Sequence, residues 1–235
     1  DHHYLFSAAT TSAIDIQAQV VREMAVRAVL TRGSMSLGES AGGLPPDRVV
    51  QTEDAILADS ERLIRTHHDG SDGAMLRIAL APCSPFSVTP ELMRETAALA
   101  RRHDVLLHTH LAETEDEDEF CRERFGMRPL DYLASVDWLD RDVWLAHGIH
   151  FNDDEISRLG AHGVAVCHCP TSNMILASGC CPVAALEQAG VAVGLGVDGS
   201  ASNDHSNLMA EVRQAFLLQR LQYGADRIRV DHALH

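Results

Sequence analysis

The sequence is poor in basic residues. Lysine and arginine together number 19 against 34 aspartates and glutamates, a formal net charge of -15. Nucleic acid and anionic membrane surfaces are bound through clustered cations, so neither is expected as a partner. Long hydrophobic runs are missing too, and no segment is apolar for long enough to span a bilayer. No basic segment followed by an apolar stretch opens the chain, so no secretory leader is read there and a cytoplasmic protein is expected. No GxGxxG opens a helix after an early strand, which removes the easiest argument for a dinucleotide fold. Six cysteines in 235 residues are too few for a disulfide scaffold. Cys167, Cys169, Cys180 and Cys181 cluster, but without the paired CxxC spacing of structural zinc, and are expected to be free, buried or half-buried thiols.

The hydrophobic content is 46%, enough for a substantial core. Strand-like apolar runs at 25–35, 74–86, 104–111, 142–150, 164–170 and 191–198 alternate with helical spacing at 51–68, 89–103, 115–124, 128–135, 152–163, 182–190 and 207–224. A further helix is expected at 15–29, and "DHHYLF" (1–6) reads as the end of a seventh strand. Thr89, Pro90 and Glu91 give the 89–103 helix a cap, a first-turn proline and an acidic start. Strand followed by helix, repeated, implies an α/β fold with parallel strands joined by right-handed crossovers.

His110, His147 and Asp198 each fall at the C-terminal end of a different expected strand. Active sites of (β/α)8 barrels are assembled from such ends over one mouth, whereas an open sheet spreads them along an edge. The barrel of TIM type is therefore the expected fold. A closed barrel needs eight strands and seven are found. The chain begins at Asp1, and "VDHALH" (230–235) looks like the start of something cut short. Residues 1–235 are expected to be the central part of a single barrel domain, about strands 2 to 8, lacking strand 1 and a flanking β-rich domain.

"HLAE" (110–113), "LAHGIH" (145–150), "HCPTSNMILASG" (168–179) and "GLGVDGSASND" (194–204) resemble the amidohydrolase superfamily, in its branch of aminohydrolases and s-triazine hydrolases. "DHHYLF", "RGSMSLGESAGGLPPD" (32–47) and "LAPCSPFSVTPELM" (80–93) look most like the members that act on 8-oxoguanine. The resemblance implies a metal-dependent barrel. His110 and Asp198 match its metal ligands after the fifth and eighth barrel strands, Glu113 its proton-shuttling glutamate, and His147 the histidine beside the attacking water. The family's His-x-His pair has no match, and the adjacent His2 and His3 are not assigned to it.

The implied chemistry is hydrolytic deamination of an amino-substituted purine, 8-oxoguanine to urate and ammonia, by metal-activated hydroxide. One zinc per subunit is implied, and iron or manganese suit the same donors. Asp198 would take the proton of water, Glu113 protonate the ring nitrogen and His147 hold the oxyanion. By position, Cys83, Ser84, Arg32 and Asn203 are expected to contact substrate. An s-triazine, pterin or guanine hydrolase and a catalytically inactive barrel stay open as alternatives, and a homo-oligomer is expected.

Each residue also has a plainer reading. His108 shares a face with His110 and is read as packing. Residues 115–119 are read as a solvated, acidic helix start. Asp198 by itself could be a turn residue, and His150 a loop residue.

Overall fold

The computed structural model describes residues 1–6 and 10–229, so "VDHALH" lies outside the described residues. The chain divides into two compact units, Asp1–Thr109 with Leu133–Trp138, and His110–Tyr132 with Leu139–His235.

In the first unit, β1 (His2–His3), β2 (Ala28–Ser34) and β3 (Leu76–Pro82) are parallel and neighbours in chain order. Residues 28–34 pair one to one with 76–82, so Leu30 and Ile78 stand side by side in the core. The strands alternate with α1 (Ala13–Met24), α2 (Glu53–His67) and α3 (Pro90–Arg102). Helix α1 stops five residues short of the expected 15–29 because Ala25 turns into the left-handed region, φ 51°. Helix α3 starts where the cap predicts, with Thr89 Oγ accepting the Leu92 N–H at 3.0 Å. Its buried face carries Leu92, Met93, Ala97 and Leu99, and the Trp138 indole N–H donates to the Met93 carbonyl at 2.8 Å. His108 is buried, its ring edge-on to His2 at 4.8 Å, as its packing role requires.

The strand β4 (Leu107–Leu111) runs from the first unit into the second. There it is followed by α4 (Glu115–Phe125), α5 (Pro129–Ser135, which returns to the first unit), β5 (Val143–His147) and α6 (Asp153–His162). Next come β6 (Ala165–His168), α7 (Pro170–Ile175), α8 (Val183–Gln188), β7 (Val193–Leu195) and α9 (Leu208–Tyr223). β5, β6 and β7 are parallel. Helix α6 opens on a capping box: Asn152 Oδ1 accepts the Glu155 N–H and Glu155 Oε2 the Asn152 N–H, both at 2.9 Å. Helix α7 is not foreseen from the sequence, because six residues are too few to show a helical period. Strand β7 is shorter than the expected 191–198. The backbone leaves it at Gly196, where an added Cβ would lie 2.6 Å from Cys167 Sγ, so a larger residue would have to push that thiol aside.

All six cysteines are free, three of them buried. No helix among the described residues is long and apolar enough to cross a membrane.

Candidate metal centre

His110 ends β4, His147 ends β5 and Asp198 follows β7, all in the second unit. One ligand atom from each lies within 4.8 Å of the others. The two imidazole rings stack at 5.4 Å and 23°. His147 Nε2 stands 3.6 Å from Glu113 Oε2 and 3.9 Å from Asp198 Oδ2, beyond hydrogen-bond reach, so the groups converge without quenching one another. Two imidazoles and a carboxylate around one space are a donor set for zinc, iron or manganese. The residues present therefore fit a divalent metal, His110, His147 and Asp198 each offering one donor atom to the same space.

The backbone is bent to achieve this. Ala112, His147 and Asp198 adopt φ of 54°, 71° and 60°, a region costing a non-glycine residue about 1–3 kcal/mol. Hydrogen bonds hold the bends. Gly148 N–H donates to Leu111 O at 3.1 Å, and Ile149 and His150 N–H to Ala112 O at 2.8 and 3.0 Å. These bonds tie the end of β4 to the turn after β5.

Glu117 supports the same turn. It is 2% exposed, and its carboxylate accepts the Ala112 and Glu113 N–H groups at 2.8 and 3.1 Å. Burial pushes this carboxyl up to about 7, against the pull of the two N–H groups. The expectation of a wholly solvated acidic start at 115–119 is thus corrected at Glu117, which turns inward to cap the loop.

Burial pushes the Asp198 carboxyl upward, but the Ser172 hydroxyl at 2.5 Å and the imidazoles of His147 and His110 outweigh it and hold it below its ordinary range. His147 is 1% exposed at its side chain, and burial lowers its pKa despite the opposing charge of Glu113. Its Nδ1 lies 2.9 Å from Asn173 Oδ1. Sequence reasoning did not single out Ser172, Asn173 or Glu117; the only signal was that the first two stand inside "HCPTSN".

The residues expected to contact substrate are held by partners of their own. In the first unit, Arg32 is 2% exposed. It donates to Asp59 at 3.0 Å, Gln51 at 2.9 Å and the Gly33 carbonyl, and its guanidinium lies over the Phe6 ring at 3.8 Å. Ser84 donates to Ser87 at 2.8 Å and locks a turn, while Cys83 at the end of β3 is half-buried. In the second unit, buried Asn203 donates to the Val197 carbonyl and to Glu211 at 2.9 and 2.8 Å, bracing the loop after Asp198. The His150 ring contacts the Ser178 carbonyl at 2.8 Å.

Residues 4–234 match the family model described as the amidohydrolase family. The chain is 64% identical over 234 residues to an 8-oxoguanine deaminase of Pseudomonas aeruginosa, covering 100% of this chain and 52% of that one. It is 38% identical over 227 residues to an isoxanthopterin deaminase from an unknown prokaryotic organism, covering 95% and 47%. It thus spans about half the length of these curated relatives. Among solved structures, atrazine chlorohydrolase of Arthrobacter aurescens complexed with zinc superposes with a TM-score of 0.91 at 33% identity, over 96% of this chain and 50% of that one. The fold is accordingly α/β, an incomplete (β/α)8 barrel represented by seven strands among the described residues. By the extent of the family match, the chain belongs to the amidohydrolase family.

Proposed function

We propose that this chain carries metal-binding and proton-transferring groups of an aminohydrolase that converts 8-oxoguanine and water to urate and ammonia. The observation that carries the reading is the convergence of His110, His147 and Asp198 within 4.8 Å, with Glu113 3.6 Å from His147. The likeness to an 8-oxoguanine deaminase supports the substrate.

His110 Nε2 or Nδ1 and an Asp198 oxygen hold the metal, which we assign as zinc, one per chain. A zinc bound there supplies Lewis acidity that brings the pKa of a water down to about 7. Asp198, kept ionised by Ser172, accepts a proton from the attacking water. Glu113 is partly solvent-exposed at its carboxylate, so it can collect a proton and pass it to the ring nitrogen beside the attacked carbon. His147, once its ring carries a second proton on Nε2, donates a hydrogen bond from that nitrogen to the oxygen that becomes the new carbonyl. The amino group takes the proton held by Asp198 and leaves as ammonia, while the attacking oxygen gives its second proton to Glu113 and becomes the carbonyl.

The family match from 4 to 234 supports reading the whole chain as part of one barrel domain. The charge of -15 supports a partner other than nucleic acid, and the enzyme is here proposed as a cytoplasmic homo-oligomer acting on a small heterocycle. The zinc-bound atrazine chlorohydrolase neighbour favours a second reading, hydrolysis of an s-triazine.

Ammonia release by the complete, zinc-loaded protein across 8-oxoguanine, guanine, isoxanthopterin and an aminotriazine separates these. The proposal expects kcat/KM for 8-oxoguanine to exceed the others at least tenfold. A higher value for any other member reassigns the substrate, and no turnover of any supports an inactive barrel.

A further inference from the structure

Two consecutive residues of α7 reach two different groups of the centre. Ser172 is 0% exposed and its Oγ lies 2.5 Å from Asp198 Oδ2. It also lies 2.8 Å from Ser202 Oγ. Ser172 has one hydroxyl proton, and the short contact to a carboxylate claims it. Asp198 Oδ2, the oxygen that stands 3.9 Å from His147 Nε2, is thereby held in place. Asn173 is 1% exposed, with Oδ1 2.9 Å from His147 Nδ1. An amide oxygen can only accept, so His147 carries its proton on Nδ1 and turns Nε2 toward Glu113 and Asp198.

We propose that Ser172 and Asn173 are a positioning pair: Ser172 fixes the orientation of the Asp198 carboxylate at the metal centre, and Asn173 fixes the tautomer and orientation of His147. The inference rests on the metal-centre reading above. Outer partners of this kind orient ligands and typically contribute about 10–100-fold in metal affinity or activity. Because both sit on one short helix, a displacement of α7 would disturb Asp198 and His147 together.

The test uses the complete protein and zinc alone, titrated against a chelating dye. Ser172→Ala is expected to weaken zinc binding about 10–100-fold. Ser172→Thr, which keeps the hydroxyl, is expected to restore it to within about threefold of wild type. Asn173→Ala is expected to lower kcat at least tenfold with KM within threefold. Asn173→Asp, which keeps the acceptor oxygen, is expected to recover most of that loss. Nitrogen-15 NMR of the unsubstituted protein is expected to find His147 protonated at Nδ1.

Zinc affinity unchanged in Ser172→Ala overturns the first half. Protonation at Nε2 alone in wild type, or an unchanged kcat in Asn173→Ala, overturns the second, and the NMR reading needs no variant to fold. A wild type that binds no zinc refutes the centre itself, whereas tight wild-type binding that Ser172→Ala leaves intact refutes only the positioning role.

Discussion

The carboxylate of Glu117 receives the backbone N–H of Glu113 at 3.1 Å, from one turn inside the helix that follows it. The proposed proton carrier is thus held by a buried residue of the same type four positions on. Glu117→Ala would leave two buried N–H groups without acceptors. The expected loss is about 2–4 kcal/mol of stability, read from urea denaturation, and Glu117→Gln, which keeps one acceptor oxygen, should lose less.

The same residue gives the fold a pH dependence. Its carboxyl is raised from 4.5 to about 7 in the folded chain, so the folded state binds a proton that the unfolded state releases between these values. Its contribution is complete below about 4.5, falls as pH rises to about 7 and is level above. The ceiling is on the order of 3 kcal/mol. The stability difference between wild type and Glu117→Gln should change across that window, and a difference flat from pH 4.5 to 7 would refute the assignment.

His110→Ala and Asp198→Ala should each lose metal, measured by elemental analysis after gel filtration, and with it turnover. Chelation of the unsubstituted protein should reproduce that loss, and added zinc should reverse it. Stoichiometric metal with full activity in either variant removes that residue from the centre.

Glu113→Gln should keep metal and fold yet lose about a hundredfold to ten-thousandfold in kcat, because its amide cannot relay a proton. Ammonia release under saturating substrate measures this. A loss below tenfold would place the proton transfer elsewhere.

Arg32 makes a different prediction from the substrate contact expected of it. Replacing it with Met should cost about 1–3 kcal/mol: Asp59 keeps its bond to Arg62, but the Gln51 side chain and the Gly33 carbonyl lose a donor. Arg32→Lys should recover only part, since one ammonium cannot serve Asp59, Gln51 and the Gly33 carbonyl together. Thermal unfolding decides. An unchanged melting temperature in Arg32→Met returns the residue to the list of candidates for substrate.

Much of the fold was legible because its signals are local. Alternating apolar strands and capped amphipathic helices can be read from neighbours a few positions apart, and Thr89 marks its helix in the structure as in the sequence. Elements shorter than one period escaped, α7 above all. Ends were misplaced where a single residue changed hand, as at Ala25. The inward turn of Glu117 was invisible within a run of five acids, since nothing in their order says which one faces the core.

The sequence by itself determined the alternation of strands and helices and the residue types that arrive at the strand ends. It also carried the family likeness in His110, Glu113, His147 and Asp198. Only the tertiary structure decided which polar groups face one another. Asp198 meets Ser172 across 26 positions, and His147 meets Asn173 across another 26. Arg32 turned to Asp59, and Asn203 to Glu211. The physical reason is that buried donors and acceptors must find partners wherever packing brings them, and that partnership is set by backbone bends and distant contacts with no local signature.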